Sequence, residues 1–215
     1  MDQTHTFSKK EEIANGITHG IGAVFGVVAL TILLVLAIME GNIPGIVSFS
    51  VYGACIILMF TSSTLYHSFS IKKVKQILRV FDHSSIFLFI AGTYTPVALL
   101  TLEGAMKIVV LVGVWTIALG GVAFKILSYG KYDRFKALSL IIYIGMGWIA
   151  IIPIRSIINA TSMNFFYWIL AGGLLYTLGT IFYSIKKIPF NHAIWHLFVL
   201  AASFTHFMGI VLHLT

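Results

Sequence analysis

The sequence predicts an all-α polytopic membrane protein, a bundle of seven transmembrane helices with the N-terminus cytoplasmic and the C-terminus extracellular. Three observations carry that expectation. The 215 residues are 59% hydrophobic and only 10% charged, with a mean hydropathy of +0.97, whereas a soluble domain carries about a quarter of its residues as Asp, Glu, Lys or Arg. The apolar residues fall into seven runs long enough, or nearly so, to cross a bilayer core that needs about 20 helical residues. The basic residues cluster between those runs on alternate sides.

A polar segment, residues 1–16, precedes a membrane domain covering 17–215. The first run extends from Ile17 to Met39 and has no small-residue cleavage site after it, so it reads as a retained span and not a leader. Gly45 to Tyr66 and His83 to Thr101 follow, the latter with Pro96 inside it, where a missing backbone donor favours a kink. Met106 to Leu127 is the fourth and Ala137 to Pro153, the shortest, the fifth. Asn164 to Tyr183 and His192 to Leu214 complete the set. Small-residue stretches at Ala118 to Gly121, Gly145 to Gly147 and Ala171 to Gly173 are expected to let helix backbones approach closely.

Orientation follows from Lys and Arg. With the N-terminus inside, twelve of the 14 fall in inside segments, and only Lys107 and Arg155 lie opposite. The positive-inside rule favours this arrangement. The net charge of +7 is thereby read as a topology signal and not as a nucleic-acid-binding face. A single cysteine, Cys55, lies in an apolar run, which excludes a disulfide framework.

Ionisable groups in a membrane are costly, so their depth is informative. Once orientation is set, His67 ends the second span, Asp82 opens the third, and His192 and His196 open the seventh, all at the cytoplasmic level. His192 and His196 are four apart and share a helix face, so they can converge on one ion. Ser63 shares a face with His67 for the same reason. Each residue alone has a plainer reading: an interfacial histidine, Asp82 as a helix N-cap, Ser63 as a helix–helix hydrogen bond. Together they suggest a metal centre. Three imidazoles with an open fourth position are the usual ligand set of catalytic zinc, with Asp82 orienting or deprotonating water and Ser63 hydrogen-bonding it. Ala193 stands where H-E-x-x-H has its Glu, which argues against a zincin-type protease.

His206 lies about 15 Å beyond His196 along a helix, too far to share the ion, though near enough in azimuth to line the same cavity. Glu11, Asn15 and His19 are spaced four apart, and Ser8 with Glu11 fits a capping box; a structural role is favoured for this stripe. His83 is expected to point about 100° away from Asp82, and His5 and His213 to face solvent.

The motifs S-x-x-x-H (Ser63 to His67), FDHSSIFLFIAGTYTP (Phe81 to Pro96) and HAIWHLFVLAASFTHF (His192 to Phe207), with the opening EEIANGITHGIG (Glu11 to Gly22), resemble the haemolysin III group. That group is placed with the progestin and adipoQ receptors and is related to the alkaline ceramidases. The resemblance implies seven helices and a zinc ion near the cytoplasmic face held by His67, His192 and His196. It also implies Asp82 contacting the zinc through water, Ser63 beside it, and ceramidase-type hydrolysis of a membrane lipid amide or ester in a bacterial plasma membrane. The short N-terminal segment departs from the adiponectin receptors, so hormone binding is not carried over. Alternative functions are a haemolytic or pore-forming protein and a sensor whose zinc is structural. Retinal-type pumping is excluded, since the seventh span has no lysine for a Schiff base.

Overall fold

A computed structural model describes residues 7–215 as eight α-helices. These are α1 (Lys9–Met39), α2 (Ile43–Ser68), α3 (Lys72–Thr101), α4 (Gly104–Leu127), α5 (Lys136–Gly147), α6 (Ile154–Ala160), α7 (Met163–Ser184) and α8 (Asn191–His213). Six are long and apolar enough to cross a membrane. A seventh candidate is α5 continued through a 3-10 turn at Trp148–Ile151 into α6, a pair bent by 51°. The chain is therefore a polytopic all-α membrane protein with six helical spans, or seven with the bent pair counted as one.

The break in the fifth span has a local cause. Pro153 cannot donate to the helix ladder, and in lipid any backbone group it leaves unpaired must find a partner inside the protein. The Ile149 carbonyl, four residues back, accepts instead from the Ile152 amide at 3.0 Å, and Tyr94 of α3 braces the turn: its hydroxyl donates to the Gly147 carbonyl at 2.7 Å and accepts from the Ala150 amide at 2.8 Å. The predicted stop at Pro153 is therefore a bend, beyond which helix resumes as far as Ala160.

α3 is the most enclosed span, with 67% of its apolar window buried against 17% for α7. It packs between α2 and α4, while α1 lies across α2 and α8. α3 begins at Lys72, so Asp82 stands ten residues inside the helix and does not open it; the N-cap is Ile71. The helix-capping reading of Asp82 is thus contradicted. α1 likewise starts at Lys9, well ahead of Ile17, behind the expected Ser8–Glu11 capping box.

Close approach through small residues occurs at two of the three predicted places. A Cβ at Gly121 would stand 2.6 Å from the Phe87 ring, and one at Gly172 would collide with the His206 ring. At Gly145 and Gly147 a Cβ meets nothing within 4 Å, so that pair serves no close contact.

Candidate metal centre

The three histidines come from two helices that α1 braces from the side. α2 contributes His67 from its last turn, and α8 contributes His192 and His196 from its first two turns. The start of α8 is held by its own sequence. Phe190 adopts a left-handed conformation, φ 56°, which turns the chain into the helix, and the Asn191 amide donates 3.1 Å to the Phe182 carbonyl at the end of α7. His192 is thereby fixed relative to α7, packed between the rings of Phe7 and Tyr183.

One ligand atom each from His67, His192 and His196 lies within 4.8 Å of the other two, an arrangement able to hold a metal ion. A tetrahedral ion with metal–nitrogen bonds near 2.1 Å sets its donors about 3.4 Å apart, so small ring rotations suffice. The hydrogen bonds decide which nitrogens are available. His67 Nδ1 lies 2.6 Å from Glu12 Oε2, and because a carboxylate only accepts, this nitrogen carries the proton. His67 Nε2 keeps its lone pair and, among the described residues, is buried with no hydrogen-bond partner. His196 Nδ1 lies 3.2 Å from the Asn15 carbonyl, with the Thr18 hydroxyl at 3.2 Å, which protonates Nδ1 and leaves Nε2 to bind. An orphaned buried lone pair beside two further imidazoles is what a metal ion satisfies, so the residues fit one.

α1 is the outer support of this centre. Glu12 holds His67 with one oxygen and Lys75 with the other, at 2.7 Å. Lys75 also donates to the Tyr66 carbonyl at 3.1 Å, tying α1 to the end of α2 and the start of α3. Hydrogen-bonded carboxylates and carbonyls behind ligating imidazoles fix the tautomer and ring direction. Glu12 escaped the sequence reading, which followed the stripe Glu11–Asn15–His19. Spacing of 12, 15 and 19 marks a helix face equally well. Glu11 closes the capping box with Ser8, whereas Asn15 and His19 are buried at the histidines. His19 stacks on His196 with ring centroids 3.4 Å apart and planes 14° apart. Asn15 and His19 therefore reach the site, beyond the structural role favoured for the stripe.

Asp82 and Ser63 are both buried, and the Ser63 hydroxyl hydrogen-bonds the Asp82 carboxylate. Both line a cavity of about 170 Å³ together with His192 and His196. His83 belongs to this wall too: its Nδ1 lies 3.6 Å from Asp82 Oδ2 and 2.8 Å from the Arg79 carbonyl, which corrects the expectation that it points away. The cavity extends along apolar side chains such as Phe89, Ile90 and Trp148 as far as His206. There His206 Nε2 donates to the Ile169 carbonyl at 3.1 Å. His213 is not simply solvent-facing, since it contacts Ser162 at 3.3 Å and the Phe165 ring. His5 lies outside the described residues.

Residues 7–207 match the family described as haemolysin-III related. The chain is 46% identical to the "Hemolysin-3 homolog" of Bacillus subtilis (strain 168), over 96% of both chains. It is 45% identical to "Hemolysin-3" of Bacillus cereus, over 95% of this chain and 92% of the relative. It is also 33% identical to the human "Monocyte to macrophage differentiation factor", over 74% of this chain and 67% of that protein.

Proposed function

From the premise that this chain belongs to the haemolysin-III-related family, we propose that it is a zinc-dependent intramembrane hydrolase. Its substrate is an acyl amide or ester of a membrane lipid, and its role lies in membrane lipid homeostasis. The observation that carries this reading is the single cavity lined by His192, His196, Asp82 and Ser63 at one end and by apolar side chains along its length. A purely structural metal has no need of a carboxylate, a hydroxyl and a largely apolar cavity beside it.

His67, His192 and His196 would hold the ion, zinc being favoured by the all-imidazole donor set. When bound, zinc supplies Lewis acidity and lowers the pKa of a water to about 7. Asp82, at hydrogen-bonding reach of the same space, accepts the proton of the attacking water. As the water oxygen bonds the acyl carbon and the C–N or C–O bond breaks, Asp82 returns that proton to the departing nitrogen or oxygen. Ser63 donates to Asp82 and keeps its carboxylate turned to the cavity. The apolar wall toward His206 takes the acyl chain, which places the carbonyl at the histidine end.

The distribution of Lys and Arg supports a cytoplasmic N-terminus and histidine end, and the two Bacillus relatives support a bacterial plasma membrane as the setting. The printed names of the two Bacillus relatives favour a second reading, a lytic protein. The two part cleanly. The hydrolase releases fatty acid from a lipid amide or ester in detergent and loses that activity in His192→Ala. A lytic protein releases dye from zinc-free liposomes whether or not His192 is present.

A further inference from the structure

At the far end of the cavity the wall turns polar again, with His206 of α8 and Tyr176 of α7 on it. His206 stands about 15 Å beyond His196 along the helix, roughly the middle of a hydrocarbon core about 30 Å thick. Its ring is held in one orientation. Nε2 meets the Ile169 carbonyl at 3.1 Å, and the ring edge fills the place that a Cβ on Gly172 would take. A carbonyl only accepts, so Nε2 carries the proton and Nδ1 of the neutral ring is an acceptor. That Nδ1 is buried with no hydrogen-bond partner among the described residues. Tyr176, whose ring centroid lies 5.6 Å from that of His206, adds a second acceptor. The Ser203 hydroxyl donates to the Val199 carbonyl at 2.7 Å, so Tyr176 donates to Ser203 at 2.9 Å and has lone pairs but no further proton to give. An acceptor left unpaired in an apolar interior is costly. A tie between α7 and α8 needs only the Nε2 side of the ring.

We propose that this far end recognises a hydroxyl group on the lipid tail: the acyl chain taken by the cavity carries a hydroxyl that donates to His206 Nδ1, with the Tyr176 oxygen beside it. The site deepens the hydrolase reading and rests on it for the word substrate; as a binding site it stands on its own residues. An extended chain advances about 1.25 Å for each carbon–carbon bond of about 1.5 Å. With the carbonyl level with His192 and His196, about 15 Å away, the hydroxyl falls near the twelfth carbon. A plain saturated tail leaves the His206 lone pair unpaired. A keto group at the same carbon sets a third acceptor against two and is disfavoured. The far end therefore sorts tails of equal length by whether they bring a donor.

The test uses zinc-loaded full-length protein in detergent and three free acids that cannot be hydrolysed: 12-hydroxyoctadecanoic, 12-oxooctadecanoic and octadecanoic acid. Dissociation constants are read by calorimetry in the wild type, His206→Phe and Tyr176→Phe. The hydroxy acid is expected to bind the wild type about three- to tenfold more tightly than octadecanoic acid, the net worth of one hydrogen bond. The oxo acid is expected to bind no more tightly than octadecanoic acid. His206→Phe abolishes the preference and leaves binding of octadecanoic acid unchanged, which also shows that the variant is folded. If His206→Phe does not fold, Tyr176→Phe removes the second acceptor, keeps the ring and narrows the preference, and the order of the three acids in the wild type needs no variant. Equal affinity for the hydroxy and unsubstituted acids overturns the site, because a buried water then satisfies Nδ1. An oxo acid that binds as tightly as the hydroxy acid overturns it too, as does a variant that weakens all three alike. None of these outcomes depends on turnover. A hydroxyl preference without hydrolysis leaves the site standing and sinks the hydrolase, and hydrolysis without the preference does the reverse.

Discussion

Glu12→Gln is the most informative single change outside the ligands. The Glu12 carboxylate accepts from His67 Nδ1 at 2.6 Å and is clamped by Lys75 at 2.7 Å. A hydrogen bond to a charged group contributes about 1.5–3 kcal/mol. At 1.36 kcal/mol per decade, that is about one to two decades in metal affinity, in line with the 10–100-fold typical of partners behind a ligand. Glutamine keeps an acceptor oxygen but loses the charge, so its effect belongs at the low end, about tenfold. Glu12→Ala removes the acceptor and belongs nearer a hundredfold. Lys75→Met leaves the Glu12–His67 bond in place and weakens binding by only about threefold, as expected of a surface-side ion pair. The assay is competition for zinc between detergent-purified protein and a chromophoric chelator, with thermal stability measured alongside. The order wild type, Lys75→Met, Glu12→Gln, Glu12→Ala is the expected one. Wild-type affinity in Glu12→Ala, with His67→Ala unable to bind, would refute the reasoning, because α1 would then have no hold on the ligand.

Three further outcomes follow from the same structure. Asp82→Asn retains the metal but lowers hydrolysis by about 10²-fold or more, since the amide cannot take a proton; unchanged turnover with metal still bound would remove Asp82 from the chemistry. Tyr94→Phe leaves the Gly147 carbonyl and the Ala150 amide without the hydroxyl that joins them, costing about 2–3 kcal/mol. It lowers the melting temperature in detergent by about 5 °C, and an unshifted melting curve would contradict that account of the bend. Gly121→Val drives side-chain atoms into Phe87 and destabilises the α3–α4 contact, whereas Gly145→Val, facing open space, leaves the melting curve within about 1 °C.

How much of this was readable beforehand depended on the range of the interaction. The helical spans follow from run length and hydropathy because the bilayer imposes a length on each. The convergence of His67, His192 and His196 also follows, since fixing the depth of a span end fixes the level of its side chains. What depended on lateral packing did not follow. Tyr94, fifty-six residues before Ala150, carries the bend of the fifth span, and sequence showed only Pro153. The inward extension of α3 to Lys72 was hidden because its first turns are basic, so hydropathy placed Asp82 at an end it does not occupy. Glu12 was passed over beside Glu11 because two adjacent acids offer two helix faces, and only the contact of α1 with α2 chooses between them. His83 shows the same limit, since a 100° azimuth says nothing about a cavity wide enough to be lined from both directions.

The central claim is that three imidazoles from α2 and α8 hold one metal ion. Metal content by mass spectrometry on detergent-purified protein, wild type beside His192→Ala, tests it most directly. The account predicts about one zinc per chain in the wild type and its loss in a variant that remains folded. A well-folded wild type without metal, or a His192→Ala protein that keeps its full zinc, would contradict it.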